Sequence, residues 1–318
     1  MVDGIALLDK PKGITSHDLV DKVRGIFDQR RVGHTGILDP LATGLMVMLL
    51  GKGTLFSPQL TGADKRYKAI IKFGRATDTY DAEGKTTHQA DPGQFSLEQF
   101  EAVLRNYLGK IKQLIPPFSA AKINGEKMYE SARRGEDLPE RHKEIEFYAI
   151  EVVSFVWPEV TLDIRCSAGT YVRSLAHEMG QFIGCGAYLK GLIRTGVGVF
   201  KLDQSTSLEE FGQAVSQGDL SMIRPIIEAM PDRPRLFARP EYIPSILEGR
   251  PFIKKYLLKT DYRGPGGCLS LLLDSGNKVV AIINLNYSWG SFERLEGRDV
   301  LGKYVRIVDE GHFRKERA

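Results

Sequence analysis

Three cysteines in 318 residues, Cys166, Cys185 and Cys268, are odd in number and far apart. With no CxxC pair and no Cys/His cluster at ligand spacing, they exclude a disulfide framework and a zinc site, and they read as buried small residues. Long apolar runs are missing too. The longest near the start, "LMVMLL" (45–50), is far too short to span a bilayer. The N-terminal "MVDGIALLDKPKG" lacks a basic region and a long apolar segment ahead of a small-residue cleavage site. That predicts a cytoplasmic protein with no membrane partner. Nucleotide-cofactor loops are absent: "LLGKGT" has Met46 where a P-loop needs glycine, and "TGVGVF" lacks the third glycine of a dinucleotide fingerprint.

What remains is a soluble composition, 42% hydrophobic and 26% charged, in a chain long enough for one large and one small domain. The net charge of +4 and pI near 8.8 permit an anionic partner without demanding one. Basic clusters recur: "RR" at 30–31 and 133–134, "KRYK" at 65–68, "RHK" at 141–143, "KK" at 254–255 and the tail "RKER". They line either a phosphate-contacting face or an ordinary solvated surface. Thr15 and Asp18 form a capping box ahead of a helix with Leu19, Val23, Ile26 and Phe27 on one face. Ser96 with Gln99 opens another helix, stopped at Gly109, and a third begins near "TYVRSLAHEMG" with Val172, Leu175, Ala176 and Met179 spaced for burial. "RYKAIIKFG" and "TLDIRCSAG" alternate as strands do. Strands in separated runs with helices inserted irregularly predict an α+β fold rather than a regular βαβ array. The Pro-rich stretch 230–244 reads as a linker or the approach to a second domain. After it, "CLSLLLDSGNKVVAIINL" reads as two strands about a turn at Ser275, Gly276 and Asn277. A small β-rich C-terminal domain follows.

One short stretch, "GHTGILDPLATG" (33–44), concentrates unusual residues. Pro40 pushes Asp39 toward extended backbone, so its carboxylate is presented from a loop. Gly33, Gly36 and Gly44 permit positive φ and close approach of a ligand or another backbone. On spacing alone, Asp39 is either a turn former bonding its own backbone or a working acid.

This stretch resembles the catalytic motif of the TruB family of tRNA pseudouridine synthases. The resemblance extends in order through "LLDKPKGITSHD", "DKRYKAIIKFGRATDTYDAEG", "PPFSAAKINGEKMYESARRGE", "CSAGTYVRSLAHEMG" and "GCGAYLKGLIRTGVG", covering most of residues 4–200. It implies a pseudouridine synthase catalytic domain over 1–232, with a mixed, mainly antiparallel sheet flanked by helices and loops. It also implies a tRNA-clasping insertion at about 112–145 and a PUA-like RNA-binding domain over 233–318. The implied reaction converts uridine 55 in the T-loop of tRNA to pseudouridine, on the T-arm, with no cofactor and no metal, in a monomer. By the same resemblance Asp39 is the catalytic carboxylate and Arg173 its paired arginine, a charge partner that fixes its direction. Tyr67 stacks on the extruded base and handles the C5 proton, Tyr171 and Leu192 line the uracil pocket, and His34 fills the space the base vacates. Lys10, with Pro11, shapes the wall beneath the site or meets a phosphate. Asp78 shapes a turn.

Read from the residues alone, Tyr67 and Leu192 serve equally as core and His34 as a satisfied loop residue. Two other function classes share these features. A non-catalytic RNA-binding or remodelling protein needs only the basic clusters and the C-terminal β-domain. A nucleoside-hydrolysing glycosidase also places an acid beside an anomeric carbon, but wants a second carboxylate.

Overall fold

The computed structural model describes residues 1–123, 125–136, 139–292 and 294–309. The fold is built on a ten-stranded sheet. Its strands are β1 (Gly4–Lys10), β2 (Val32–His34), β3 (Thr43–Leu50), β4 (Lys65–Phe73), β5 (Gly109–Leu114), β6 (His142–Val156), β7 (Glu159–Cys166), β8 (Ala187–Val197), β9 (Phe200–Lys201) and β10 (Thr206–Ser207). The order across the sheet is β10-β1-β3-β8-β4-β7-β6-β5, with β2 on β3 and β9 on β8. Only β1–β10 and β3–β8 are parallel, so the sheet is mixed and mainly antiparallel.

Helices α1 (Ser16–Phe27), α2 (Leu97–Leu104), α3 (Val172–Ile183) and α4 (Leu208–Ser216) cover one face. The capping boxes predicted at Thr15/Asp18 and Ser96/Gln99 are both present, and each satisfies two backbone N–H groups at its helix start. Leu19 and Val23 are buried as their spacing requires, and Val20 joins them. Leu175, Ala176 and Met179 of α3 bury against the same core.

A second, six-stranded sheet runs β12-β16-β15-β14-β11-β13. Its strands are β11 (Arg235–Ala238), β12 (Phe252–Ile253), β13 (Leu257–Thr260), β14 (Leu269–Leu273), β15 (Val279–Leu285) and β16 (Val300–Ile307). The turn between β14 and β15 has Asn277 at φ 63°, in the left-handed region that Asn tolerates. The stretch 230–244 is more than a linker. It contributes β11, paired with β13 on one side and in parallel with β14 on the other.

The two sheets share a core. Period-two alternation sends Ala6, Leu8, Met46, Met48 and Leu50 to the helical side. It sends Ile5, Leu7, Leu45, Val47 and Leu49 to the other side, where they meet Leu271, Leu273, Val279, Ile282 and Val308 of the C-terminal part. A strand covered on both faces carries no polar alternation, which is why "LMVMLL" reads as an unbroken apolar run. The stretch at 112–145 leaves and rejoins the sheet. Leu114, Gln113 and Lys112 pair with His142, Lys143 and Glu144, so both of its ends belong to the sheet. Cys166 and Cys185 are buried, whereas Cys268 is half-buried. Among the described residues no helix is long and apolar enough to cross a membrane.

Candidate active site

The loop from Gly36 to Pro40, between β2 and β3, is tied down at each residue. Gly36 donates its N–H to His34 Nδ1 at 3.1 Å. Leu38 donates to and accepts from the Ser16 hydroxyl, at 2.8 and 3.1 Å, which fastens the loop to the start of α1. Ala42 N–H closes a turn on the Asp39 carbonyl at 3.0 Å, with Pro40 in the position that suits its fixed φ. Gly13 N–H binds the Pro40 carbonyl at 2.9 Å. The Gly36 and Ile37 carbonyls accept from Arg194, at 3.2 and 3.3 Å. Asp39 thus sits on a shaped support.

Its glycines are not equivalent. Gly44 has φ +101°, and a Cβ there would lie 2.5 Å from the Arg194 carbonyl oxygen and 2.7 Å from its nitrogen. The close approach of β3 to β8 therefore requires glycine. Gly33 has neither a positive φ nor a crowded side, so the sequence reading overstated its role.

Asp39 meets Arg173 across 134 residues of chain. Arg173 Nε lies 2.8 Å from Asp39 Oδ2, and Nη2 donates to Oδ1 at 3.3 Å, a forked arrangement that sets the carboxylate plane. The Arg173 side chain is 7% exposed and that of Asp39 36% exposed, so the cation is sheltered while the acid faces solvent. Arg173 reaches this point from the first turn of α3. Ahead of that turn, the Gln113 side chain clasps both the N–H and the carbonyl of Tyr171, at 2.8 and 3.0 Å. The guanidinium also donates to the carbonyls of Thr79 and Phe118, at 3.1 and 2.9 Å.

A second carboxylate shares this arginine. Asp81 Oδ2 lies 3.9 Å from Arg173 Nε with its side chain 7% exposed. Its Oδ1 accepts from Thr79 Oγ1 at 2.6 Å and from Glu83 N–H at 3.0 Å. Sequence reasoning singled out Asp78 instead, which accepts Lys85 N–H at 2.7 Å and shapes its turn. Two aspartates three apart in "DTYD" were the available signal, and nothing in their spacing says which one turns inward.

Lys10 is fully buried, and its ammonium donates to the Pro11 and Ile14 carbonyls at 3.0 and 2.7 Å. These bonds turn the ammonium toward the backbone just ahead of α1. Burial lowers its pKa, opposed by the Asp39 charge. His34 is half-buried; burial and then the Arg194 charge lower its pKa, and the bond from Gly36 occupies Nδ1. Tyr67 on β4 is 8% exposed, so little of its ring is free in this conformation. Burial raises the Tyr67 phenol pKa, against the lowering effect of Arg194. Leu192, opposite Ala69, packs on the helical core, and Arg194 lies opposite Tyr67 on the same strand pair. The Tyr171 phenol pKa is raised by burial, and the charges of both Arg173 and Asp39 reach it.

Arg194 escaped the sequence reading altogether. The strand "AYLKGLIRTGV" carries two cations, Lys190 and Arg194, and nothing in their spacing says that Lys190 is exposed and Arg194 buried. The basic clusters do not act alike either. Lys65 is buried with its ammonium on the Thr61 and Ala63 carbonyls, and burial brings its pKa down to about 8. Arg134 pairs with Glu126 and Glu136. Arg66 and Lys68 are exposed. The "RKER" tail lies outside the described residues.

Two family models match the chain: the TruB family pseudouridylate synthase N-terminal domain over 24–172, and the tRNA pseudouridylate synthase B C-terminal domain over 173–231. Among curated relatives, the tRNA pseudouridine synthase B of Geotalea uraniireducens is 41% identical over 217 residues, 68% of this chain and 70% of that protein. The protein of the same name from Chromobacterium violaceum is 38% identical over 250 residues, 79% of this chain and 81% of that one. A chain of an H/ACA RNP bound to a substrate RNA containing 2′-deoxyuridine superposes with a TM-score of 0.75 at 21% identity, over 96% of this chain and 84% of that one. At that identity the likeness is one of fold.

Proposed function

Since the chain belongs to the TruB family of pseudouridylate synthases, we propose that it isomerises uridine 55 in the T-loop of tRNA to pseudouridine. The observation that carries this reading is the solvent-facing Asp39 carboxylate, gripped by a buried arginine on a loop with no slack. In the reaction the N1–C1′ bond breaks, the uracil turns, C5 joins C1′, the C5 hydrogen is lost to solvent as a proton, and N1 takes up a proton in its place. Uridine folded in a loop exposes neither carbon, so it must first leave its stack, at a cost of a few kcal/mol. Asp39 then attacks the ribose or the base, or withdraws a sugar proton, and each route uses the ionised acid. Arg173 keeps that acid aimed. Tyr67 lies at the floor of the site, where a base reaches its ring only by displacing what covers it. Tyr171 and Leu192 form the walls, and His34 stands at the loop's entrance.

Residues 1–232 form the catalytic part and 233–318 a PUA-like RNA-binding part. The T-arm is the portion recognised. A monomer suffices, because one chain supplies Asp39, Arg173, Tyr67 and Asp81. Asp81 is a poor second acid for glycoside hydrolysis: it is buried, and its oxygens are engaged.

The test uses T-arm RNA carrying tritium at uridine C5. Tritium release with no free uracil supports isomerisation; free uracil overturns it in favour of hydrolysis. Asp39→Asn is expected to bind the RNA as the parent does and to release no tritium. Turnover by D39N would remove Asp39 from the chemistry.

A further inference from the structure

We propose that Arg194 is a positioning residue for this reaction: its buried guanidinium holds the Asp39 loop and the Tyr67 strand in one fixed relation. The inference rests on the reading above and adds a residue to it. Arg194 is 1% exposed. Its hydrogen bonds go to neutral groups on two segments: Nε donates to the Leu45 carbonyl at 2.8 Å, Nη1 to Ile37 at 3.3 Å and Nη2 to Gly36 at 3.2 Å, with Met46 Sδ 3.3 Å from Nη2. The first segment is the start of β3. The second is the loop that ends in Asp39.

Arg194 also stands opposite Tyr67 in the β4–β8 ladder, where paired residues project from the same face. Its own backbone is the surface against which Gly44 is pressed. A guanidinium remains charged in proteins. Keeping one out of water with neutral partners is costly, and an apolar residue would fill a strand without that cost. What an apolar residue lacks is three donors in a rigid fork, which span the β2–β3 loop and the start of β3. The charge reaches the groups around the site as well: Tyr67, His34, Lys10 and Lys65 all feel it. Arg194 touches no reacting atom; it acts through the Asp39 loop and through Tyr67.

The experiment compares the parent with Arg194→Lys and Arg194→Met, full-length, on the tritiated T-arm RNA, reading kcat, KM, RNA affinity and the urea midpoint. Lysine's single nitrogen replaces one of three donors, so the loop keeps its charge but loses its span. R194K is expected to lose kcat by about 100-fold, the scale of a misplacement near 1 Å. Its KM and RNA affinity should stay within about threefold of the parent, as for a group acting only on the chemical step. R194M is expected to lose more. The inference is overturned if folded R194K keeps kcat within about threefold of the parent, or if its kcat falls only as far as its folded fraction does. Should R194M not fold, R194K decides the matter alone. A parent that leaves the RNA uridine unchanged defeats the functional reading, and this inference with it. An active parent with an unimpaired R194K defeats the inference only.

Discussion

Removing the Arg173 side chain has consequences that follow from its four partners. Arg173→Met deletes the forked pair with Asp39, the donors to the Thr79 and Phe118 carbonyls, and the cation 3.9 Å from Asp81. Breaking a buried pair from one side costs about 3–5 kcal/mol, because the remaining charge stays buried. That cost is unevenly shared. Asp39, 36% exposed, regains water and contributes little, whereas Asp81, 7% exposed, is left with a hydroxyl and an amide but no cation. Each orphaned carbonyl adds about 0.5–1.5 kcal/mol. Equilibrium urea unfolding should therefore show R173M destabilised by about 4–8 kcal/mol. R173K keeps a cation and loses mainly hydrogen bonds, so about 1–3 kcal/mol is expected. The diagnostic is a second change. If the stranded Asp81 charge dominates, Asp81→Asn made in the R173M background should restore at least about 1 kcal/mol, although the same change in the parent removes stability. A loss under about 1 kcal/mol in R173M, or an additive further loss from D81N, would refute the view that Arg173 compensates a buried carboxylate.

Other outcomes follow from the loop. Gly44→Ala forces a left-handed residue, costing about 1–2 kcal/mol, and drives a methyl into the Arg194 backbone, so a total loss above about 3 kcal/mol is expected by urea unfolding. Gly33→Ala, with only Thr54 Cγ2 near its added methyl at 3.7 Å, should stay within about 0.5 kcal/mol of the parent. His34 has a lowered pKa in the fold, so the unfolded chain takes up its proton first as pH falls, and stability is lost as pH drops below the ordinary histidine value of 6.5. His34→Asn places an acceptor where Nδ1 stood, keeping the Gly36 bond without the titration. The urea midpoint of H34N should therefore fall less steeply than the parent's between pH 6.5 and 5, and parallel slopes would show that His34 does not contribute.

Much of the site can be read along the chain. Both capping boxes are local, because their hydrogen bonds span three residues. The turn at Asp39 is local too, since Pro40 restricts its neighbour whatever surrounds it. Asp39 and Arg173 were named from motif order, and the structure brings them to 2.8 Å. Asp81, Gln113 and Arg194 were not named. Each acts on residues far along the chain: Gln113 on Tyr171, Asp81 on Arg173, and Arg194 on Gly36 and Leu45.

Local chemistry settled where α1 and α2 begin, which backbones turn, and that an acid sits on a loop, since propensity and capping act over a few residues. Assembly of the sheets decided the rest. Alternation along a strand assigns side chains to two faces but says nothing about what covers either one. Only packing made Tyr67 a covered ring, Lys10 and Lys65 buried props for carbonyls, and "LMVMLL" a strand shared by two cores. An ion's worth depends on how much water and which opposite charges surround it, and those are properties of the folded chain.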